Sequence, residues 1–558
     1  MEPYFTVMFG LPGQGLHWHI DALSALFLCI LAPQIIASAI ADMRASPAFW
    51  VFAGGMVVAL AAADGFTLIF GFELMSAASW LLVLRGDQRP ATLYIGTAMA
   101  SAACLIPAVF LPASSLAFML VLLGAGAKAG LAPLHVWLPR AHTAPPAGAS
   151  AVMSGGMVKI ALYVVIRYGF IVFGAAAQPW WGVVLIIAGI ASVLIGSLRA
   201  MLEIDLKTVL ACSTVEHVGL IAVGLGVGLR AKAMGDPALA ALALQGALLC
   251  AVAHGLFKPL LFLGVGAVKN ATGTNSLNWL GGLMRGMPRL GGLMIMGAMG
   301  MAALPLGPGF APEFLLLHAV IAAAATGGIL ARIGFIALVA SLGVGAALAL
   351  AAAVRIIGIG FLGRPRSLHA AAAADADVPT QISMGLLALL IILVSLLPGL
   401  VVGAMVPVIR LLIPDADPLP LAYAPLSLAV LLILAAGGAW AMLRWLGARG
   451  TREAAPWNGG FGPPPVWLPF GEPTTQLSAT GFAEPVMRAI SGGVLAGKAA
   501  AGLADPGETY VLLPLARLNI RITRAAEIIR RSTIRQRLVF VFAALVVFLL
   551  TLGVSEGG

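Results

Sequence analysis

The sequence predicts an all-α polytopic membrane protein with about 14 transmembrane helices, built around two inverted five-helix repeats that each hold a discontinuous helix. Three observations predict it. The 558 residues are 61% hydrophobic and only 10% charged, with a mean hydropathy of +1.03, against roughly 25% charged in an average soluble domain. The basic residues alternate between connecting loops. Two long apolar stretches are interrupted by Pro and Gly at matching places in the chain. Such a composition excludes a soluble enzyme and intrinsic disorder, because too little polar surface is available to coat a globule. A nucleic-acid partner is not expected either. The net charge of +10 lies in loops and one tail, as on the cytoplasmic side of bacterial membrane proteins.

A helix needs about 20 apolar residues to cross about 30 Å of hydrocarbon. Spans are expected near 20–42, 47–63, 65–84, 91–112, 115–138, 146–170, 179–199, 206–228, 237–267, 289–327, 333–361, 381–410, 422–443 and 536–554. The stretch 289–327 is too long for one helix and contains Leu304-Pro305-Leu306-Gly307-Pro308-Gly309, which predicts one crossing made of two half-helices. The Met1–Leu16 segment is uncharged apart from Glu2 and does not read as a signal peptide.

The loops after the odd-numbered spans carry Arg44, Arg85, Arg89, Arg140, Arg199, Lys269, Arg285, Arg289, Arg364, Arg366, Arg444, Arg449 and Arg452. The alternate loops carry Arg230, Lys232, Arg332 and Arg410. This asymmetry predicts a bacterial inner-membrane protein with the first set of loops in the cytoplasm and the N-terminus outside. Residues 1–446 are expected to form the transmembrane domain, 447–535 a cytoplasmic or interfacial linker, and 536–558 a last transmembrane helix. The linker opens with irregular Pro-, Gly- and Trp-rich backbone. Its second part sets Arg517, Arg521, Arg524, Arg530, Arg531, Arg535 and Arg537 among Leu and Ile. Two readings stand for that part: a basic amphipathic helix on the membrane surface or a partner, or a positive anchor for the last span.

An ionisable residue inside a span costs at least about 2.5–3.5 kcal/mol on insertion scales, so each needs a reason. Glu73, Lys128, Lys159, His254, Lys258, Glu216, His217 and Glu313 all fall within spans, and His254 and Lys258 share one helix face at four-residue spacing. A single lysine near a helix end is ordinarily a snorkelling or paired structural charge. The set as a whole carries both signs, far from span ends. Burial disfavours the charged form of either sign, so buried lysines and carboxylic acids can exchange protons near neutral pH. A row of such groups reads as a proton relay.

The repeats place them. The first set is 47–63, 65–84, 91–112, 115–138 and 146–170, and the second is 179–199, 206–228, 237–267, 289–327 and 333–361. The fourth crossing is interrupted in both, by Gly130 and Pro133 after Lys128 and by Pro305 and Pro308 before Glu313. Five is odd, so the second repeat enters the membrane from the opposite side. Glu73 and Lys128 lie in the second and fourth crossings of one half, Glu216 and Glu313 in those of the other, and Lys159 and Arg355 in the fifth of each. The four cysteines lack CxxC or CxH spacing, so no metal, haem or iron–sulfur cofactor is expected.

Four motifs carry a family resemblance: Glu73-Leu74-Met75-Ser76; Ala127-Lys128 with Pro133-Leu134-His135-Val136-Trp137-Leu138-Pro139; Asp205-Leu206-Lys207-Thr208-Val209-Leu210-Ala211; and His254-Gly255-Leu256-Phe257-Lys258. The chain resembles the antiporter-like proton-translocating subunits shared by respiratory complex I, multisubunit sodium/proton antiporters and membrane-bound NiFe hydrogenases. Four further stretches make it most similar to the component B type of hydrogenase-4 and formate hydrogenlyase: Ser213–Gly219, Gly307–Glu313, Phe361-Leu362-Gly363-Arg364-Pro365-Arg366-Ser367, and Ser478–Pro485. The resemblance implies an input pair of Glu73 and Lys128, a central axis including Lys159 and His254, and an output half with Lys258 and Glu313 as terminal carrier. His135, Asp205, Lys207, Glu216 and His217 are implied as supporting or connecting groups. Arg355 stands where family members often carry lysine, and a guanidinium stays protonated, so it is counted among the supports. Family members have two further spans ahead of Asp21, and losing two keeps the expected topology.

The resemblance further implies a non-catalytic subunit with no redox centre of its own. Its partners would be other membrane subunits and peripheral NiFe hydrogenase and iron–sulfur subunits, besides the lipid bilayer. Sodium/proton antiport, a quinone-oxidoreductase subunit, an ion-coupled uptake system and a passive scaffold are the competing readings. Against the scaffold stands the insertion cost of the buried charges.

Overall fold

The computed structural model describes residues 5–8, 15–42, 46–326, 328–416, 421, 423–447, 476–491 and 514. The chain folds as a helical multi-pass membrane protein, with ten described helices long and apolar enough to cross a bilayer. It opens on a hairpin absent from the expected elements, β1 (Phe5–Met8) antiparallel to β2 (Gly15–Trp18). α1 (Ala22–Ala41) follows, capped by Asp21, whose carboxylate accepts from Ser24 N at 2.9 Å.

The first five-crossing set is α2 (Pro47–Leu60), α3 (Gly65–Leu84), α4 (Gln88–Phe110), then α5 (Ser115–Ala129) and α6 (Trp137–Thr143) as the two pieces of the broken crossing. It closes with α7 (Ala147–Val152) and α8 (Val158–Ile166), joined by a π-turn at Met153–Met157 and extended by another at Arg167–Val172. The second set repeats the order: α9 (Pro179–Leu202), α10 (Leu206–Ala233) and α11 (Pro237–Thr272). After the short α12 (Leu283–Gly286) come the broken pair α13 (Pro288–Met301) and α14 (Phe310–Ala325), and finally α15 (Ile329–Arg355) with a π-turn at Ile356–Phe361. Both fifth crossings therefore end in π-turns. Lys159 and Arg355 both lie in these fifth crossings, Lys159 in α8 and Arg355 at the end of α15.

Every expected span up to 422–443 falls on helix, with one correction. The stretch 381–410 is three helices, not one: α17 (Val378–Leu396), α18 (Pro398–Ala404) and α19 (Val406–Leu412). Pro398 opens a new helix because proline cannot supply the N–H that continuation needs. Before them lies α16 (Leu368–Ala371), and after them α20 (Pro425–Trp445) and α21 (Ala479–Ser491). Except at residues 447, 476–491 and 514, the expected 447–535 linker, its basic helix and the 536–558 span lie outside the described residues. Within the described part, α21 is held to the second repeat. Asn278 donates to Thr480 Oγ1 at 3.1 Å and accepts from Ala479 N at 3.0 Å, while Arg366 donates to Leu477 O at 2.5 Å. Two of the stretches that carry the resemblance, 361–367 and 478–485, thus meet at one latch.

Paired helices approach closely through glycine. Gly182, Gly189 and Gly196 recur every seven residues on α9. A Cβ on them would lie 2.3 Å from Gly226 O, 2.8 Å from Gly219 O and 2.5 Å from Glu216 N. In the first repeat, Gly55 and Gly71 give α2 and α3 the same backbone contact, at 2.5 Å from Met75 N and 2.4 Å from Ala59 N. Without a hydrophobic drive between helices in lipid, such close packing is a main source of association. Enclosure then differs sharply between spans. The α7–α8 crossing and α10 are 100% buried over their most apolar window and α11 is 94% buried, whereas α20 is 0% buried.

At the second break the chain turns through Ala303 (φ 46°) and Leu306 (φ 65°), both in the left-handed region. Such a conformation costs an L-residue about 1–2 kcal/mol. Ala303→Gly is expected to raise stability by about 1 kcal/mol, read as a higher midpoint in detergent thermal unfolding. Gly196→Val, which meets backbone that cannot yield, is expected to cost about 2 kcal/mol or more in the same measurement.

Candidate functional site

The sequence-predicted residues fall into three groups, with a few more at the ends of spans. In the first repeat, α5 ends at Gly130 (φ 80°), and Lys128 sits in its last turn, where the helix dipole favours a cation. Lys128 is 1% exposed. Its Nζ donates to the Tyr94 hydroxyl at 2.6 Å and lies 4.3 Å from that ring's centroid. The Tyr94 hydroxyl also shares a 2.5 Å hydrogen bond with Ser79 and donates to Met157 Sδ at 3.4 Å. Glu73, on α3, is half-buried with one carboxylate oxygen lacking a hydrogen-bond partner. Lys128 is the charge of opposite sign that acts on it. Among the described residues no ion pair within 4 Å joins the two, so Tyr94 stands as the direct partner of the lysine.

The break after Lys128 is satisfied by borrowed groups. Trp137 Nε1 donates to Ala127 O at 2.8 Å, and Ala132 N donates to Ser192 Oγ on α9 at 2.8 Å. His135 lies in this break and is 2% exposed.

The second group spans the two repeats. Lys159 Nζ donates to Ser154 O at 2.9 Å and makes a short contact with His254 Nδ1 on α11. The His254 ring lies 5.1 Å from that of His217 on α10. His217 Nδ1 bonds Ser213 O at 2.9 Å and lies 3.9 Å from Glu216 Oε2. A parallel bridge runs through hydroxyls: Ser154 Oγ and Thr214 Oγ1 are 2.7 Å apart, Thr214 donates to Leu210 O at 2.9 Å, and Lys258 Nζ donates to the same carbonyl at 3.1 Å.

The third group surrounds a cavity of about 370 Å³ between α9, α10, the second break, α14 and α15. Glu216 and Glu313 both line it, with walls that include Leu220, Phe310, Phe314 and Leu342. Glu216 is 1% exposed and its Oε2 has no hydrogen-bond partner. Glu313 occupies the first turn of α14, where unpaired N–H groups favour a carboxylate.

The remaining predicted residues lie at the ends of spans. Asp205 caps α10, accepting from Thr208 N at 3.0 Å. Lys207 donates to Pro145 O at 2.7 Å and Thr143 O at 3.4 Å. Arg355 is 0% exposed. It donates to Ala200 O at 3.2 Å and, over short contacts, to the carbonyls of Met201 and Glu203, so it closes the C-terminus of α9. The charge that acts on it is the Glu203 carboxylate.

Sequence reasoning missed Tyr94, Ser154 and Thr214, which look like core filler in apolar spans. It also missed the buried pair of Arg167 and Asp21, 2.8 Å apart. In that case Asp21 reads as a helix cap and Arg167 as a lone charge 146 residues away.

Residues 66–339 match the family described as NADH:quinone oxidoreductase/Mrp antiporter, TM. The chain is 29% identical to hydrogenase-4 component B of Escherichia coli over 96% of its own length and 89% of that protein's. It is 35% identical to an uncharacterised protein of Mycobacterium tuberculosis over 70% of its length, and spans 66% of that relative. Its fold is shared with a chain of an archaeal respiratory membrane complex, the membrane-bound sulfane sulfur reductase, at a TM-score of 0.78 and 22% identity over 99% of this chain and 92% of that one. The chain belongs to the antiporter-like, proton-translocating membrane-subunit family that complex I and the Mrp antiporters share.

Proposed function

We propose that the chain translocates protons as a membrane subunit of a complex-I-like, membrane-bound NiFe hydrogenase of the hydrogenase-4 or formate hydrogenlyase type. In this reading it lies in a bacterial inner membrane with its N-terminus outside. Redox chemistry in partner subunits drives it, and the chain itself contributes the proton path. The observation that carries the reading is the continuity of ionisable side chains through the enclosed spans: Lys159 to His254, His254 to His217, and His217 to Glu216, whose cavity Glu313 shares. A passive anchor gains nothing from burying these groups. Similarity to component B along nearly the whole chain supports the hydrogenase setting.

The mechanism follows from the geometry. Tyr94 holds the Lys128 amine while Glu73 acts on it from a distance. A change in the charge of Glu73 alters the proton affinity of Lys128 without breaking a salt bridge. Lys159 and His254 hand a proton between an amine and a ring nitrogen, and the Ser154–Thr214 hydroxyls offer a parallel route toward Lys258. Glu216 and Glu313 receive it at the cavity.

In membrane vesicles holding the assembled complex, Lys128→Ala and Glu313→Gln are each expected to cut proton translocation at least tenfold while the subunit still assembles. Wild-type translocation in both variants would remove the relay assignment. Sodium-dependent proton exchange with no hydrogenase subunits co-purifying would replace the hydrogenase reading by sodium/proton antiport. Tyr94→Phe removes the hydroxyl that holds Lys128 and keeps the ring. Its expected effect is a severalfold loss of translocation with unchanged thermal stability.

A further inference from the structure

A polar cavity of about 470 Å³ opens where Asp42, Arg85, Pro145, Lys207, Lys269 and Thr380 come together. These residues come from the connections that the charge pattern assigns to one side of the membrane. Lys207 lies at the cavity's inner wall, 3% exposed, with two of its amine hydrogens given to the carbonyls of Thr143 and Pro145. Directly before Thr143 stands His142, in the last turn of α6, which the relay described above does not use.

His142 is 0% exposed. Its ring packs on Trp137 at 5.8 Å and on Phe262 at 6.3 Å between centroids. Phe262 is one turn beyond Lys258 and two beyond His254, so His142 abuts the same stripe of α11. It faces the backbone of Leu138 and of Met153, yet neither ring nitrogen completes a hydrogen bond. The next peptide unit, Ser154, accepts the Lys159 amine. His142 and Lys159 thus sit on consecutive peptide units of the Met153–Met157 π-turn, a kind of distortion frequent at functional sites. The charges that act on His142 are those of Lys159 and Lys207.

We propose that the Lys207-lined cavity and His142 form an inlet that delivers protons to Lys159 without passing Glu73 and Lys128. One ring nitrogen takes a proton from cavity water. The imidazolium releases the proton on its other nitrogen toward the Lys159 amine once that amine has passed its own proton to His254, which returns Lys159 to ammonium, and rotation of the ring restores the tautomer. Histidine suits this step because a single ring both accepts and donates. The inlet rests on the relay reading above.

The test uses vesicles with the assembled complex, comparing His142→Gln with Lys128→Ala and Glu313→Gln. His142→Gln is expected to lower proton translocation at least fivefold, and added imidazole is expected to restore part of it, which a merely structural loss would not allow. In a second arm, Ala144→Cys at the cavity wall is labelled with a bulky, membrane-impermeant thiol reagent, and labelling is expected to block translocation. Wild-type translocation in His142→Gln, or no effect of the label, with Lys128→Ala and Glu313→Gln still defective, overturns the inlet and leaves the relay standing. Normal translocation in all three variants overturns both.

Discussion

The structure depends on one constraint: a charge can sit at membrane depth only where protein, not lipid, surrounds it. The three best-enclosed crossings, α7–α8, α10 and α11, are those that bring together Lys159, Glu216, His217, His254 and Lys258. The outer helices serve as their insulation. α4, α15 and α17 bury under half of their apolar window and turn leucine and isoleucine outward. Enclosure has its own requirement, because helices must pack closely enough to exclude lipid. The seven-residue glycine stripe of α9 meets that requirement against α10, placing backbone against the peptide of Glu216 itself.

The two helix breaks solve a second problem, the polar groups that a broken helix leaves unpaired. Their solution differs in sign. Lys128 lies before its break, at a helix C-terminus, and Glu313 lies after its break, at a helix N-terminus. Each charge therefore meets the end of the dipole that favours it. A topologically inverted pair of repeats thus presents a basic group in one half and an acidic group in the other. The polarity comes from which side of the break the residue occupies.

Much of this was legible in the sequence. Hydropathy located the spans, and Pro and Gly located both interruptions, because apolar length and missing N–H groups are local properties. Charges in spans marked Lys159, His254, Glu216 and Glu313 for the same reason. What stayed hidden depends on contacts between distant segments. Tyr94 is an aromatic in an apolar helix until Lys128 is seen to donate to it. His142 lies in a polar connection where a histidine attracts no notice until it is found fully enclosed. Arg355 shares a fifth-crossing position with Lys159 in the sequence, and only its contacts with the carbonyls that end α9 show what it holds. The division of 381–410 turns on Pro398, which lies within a continuous run of apolar residues.

One hydrogen bond described above has a mechanical meaning. Ser192 belongs to the second repeat, yet its hydroxyl receives the N–H of Ala132 in the interrupted helix of the first. The seam between repeats is therefore pinned at the loop that follows Lys128. Any displacement of α9 would reach that loop through the backbone N–H of Ala132. The two halves are thus joined at the interruption by a contact that carries no charge.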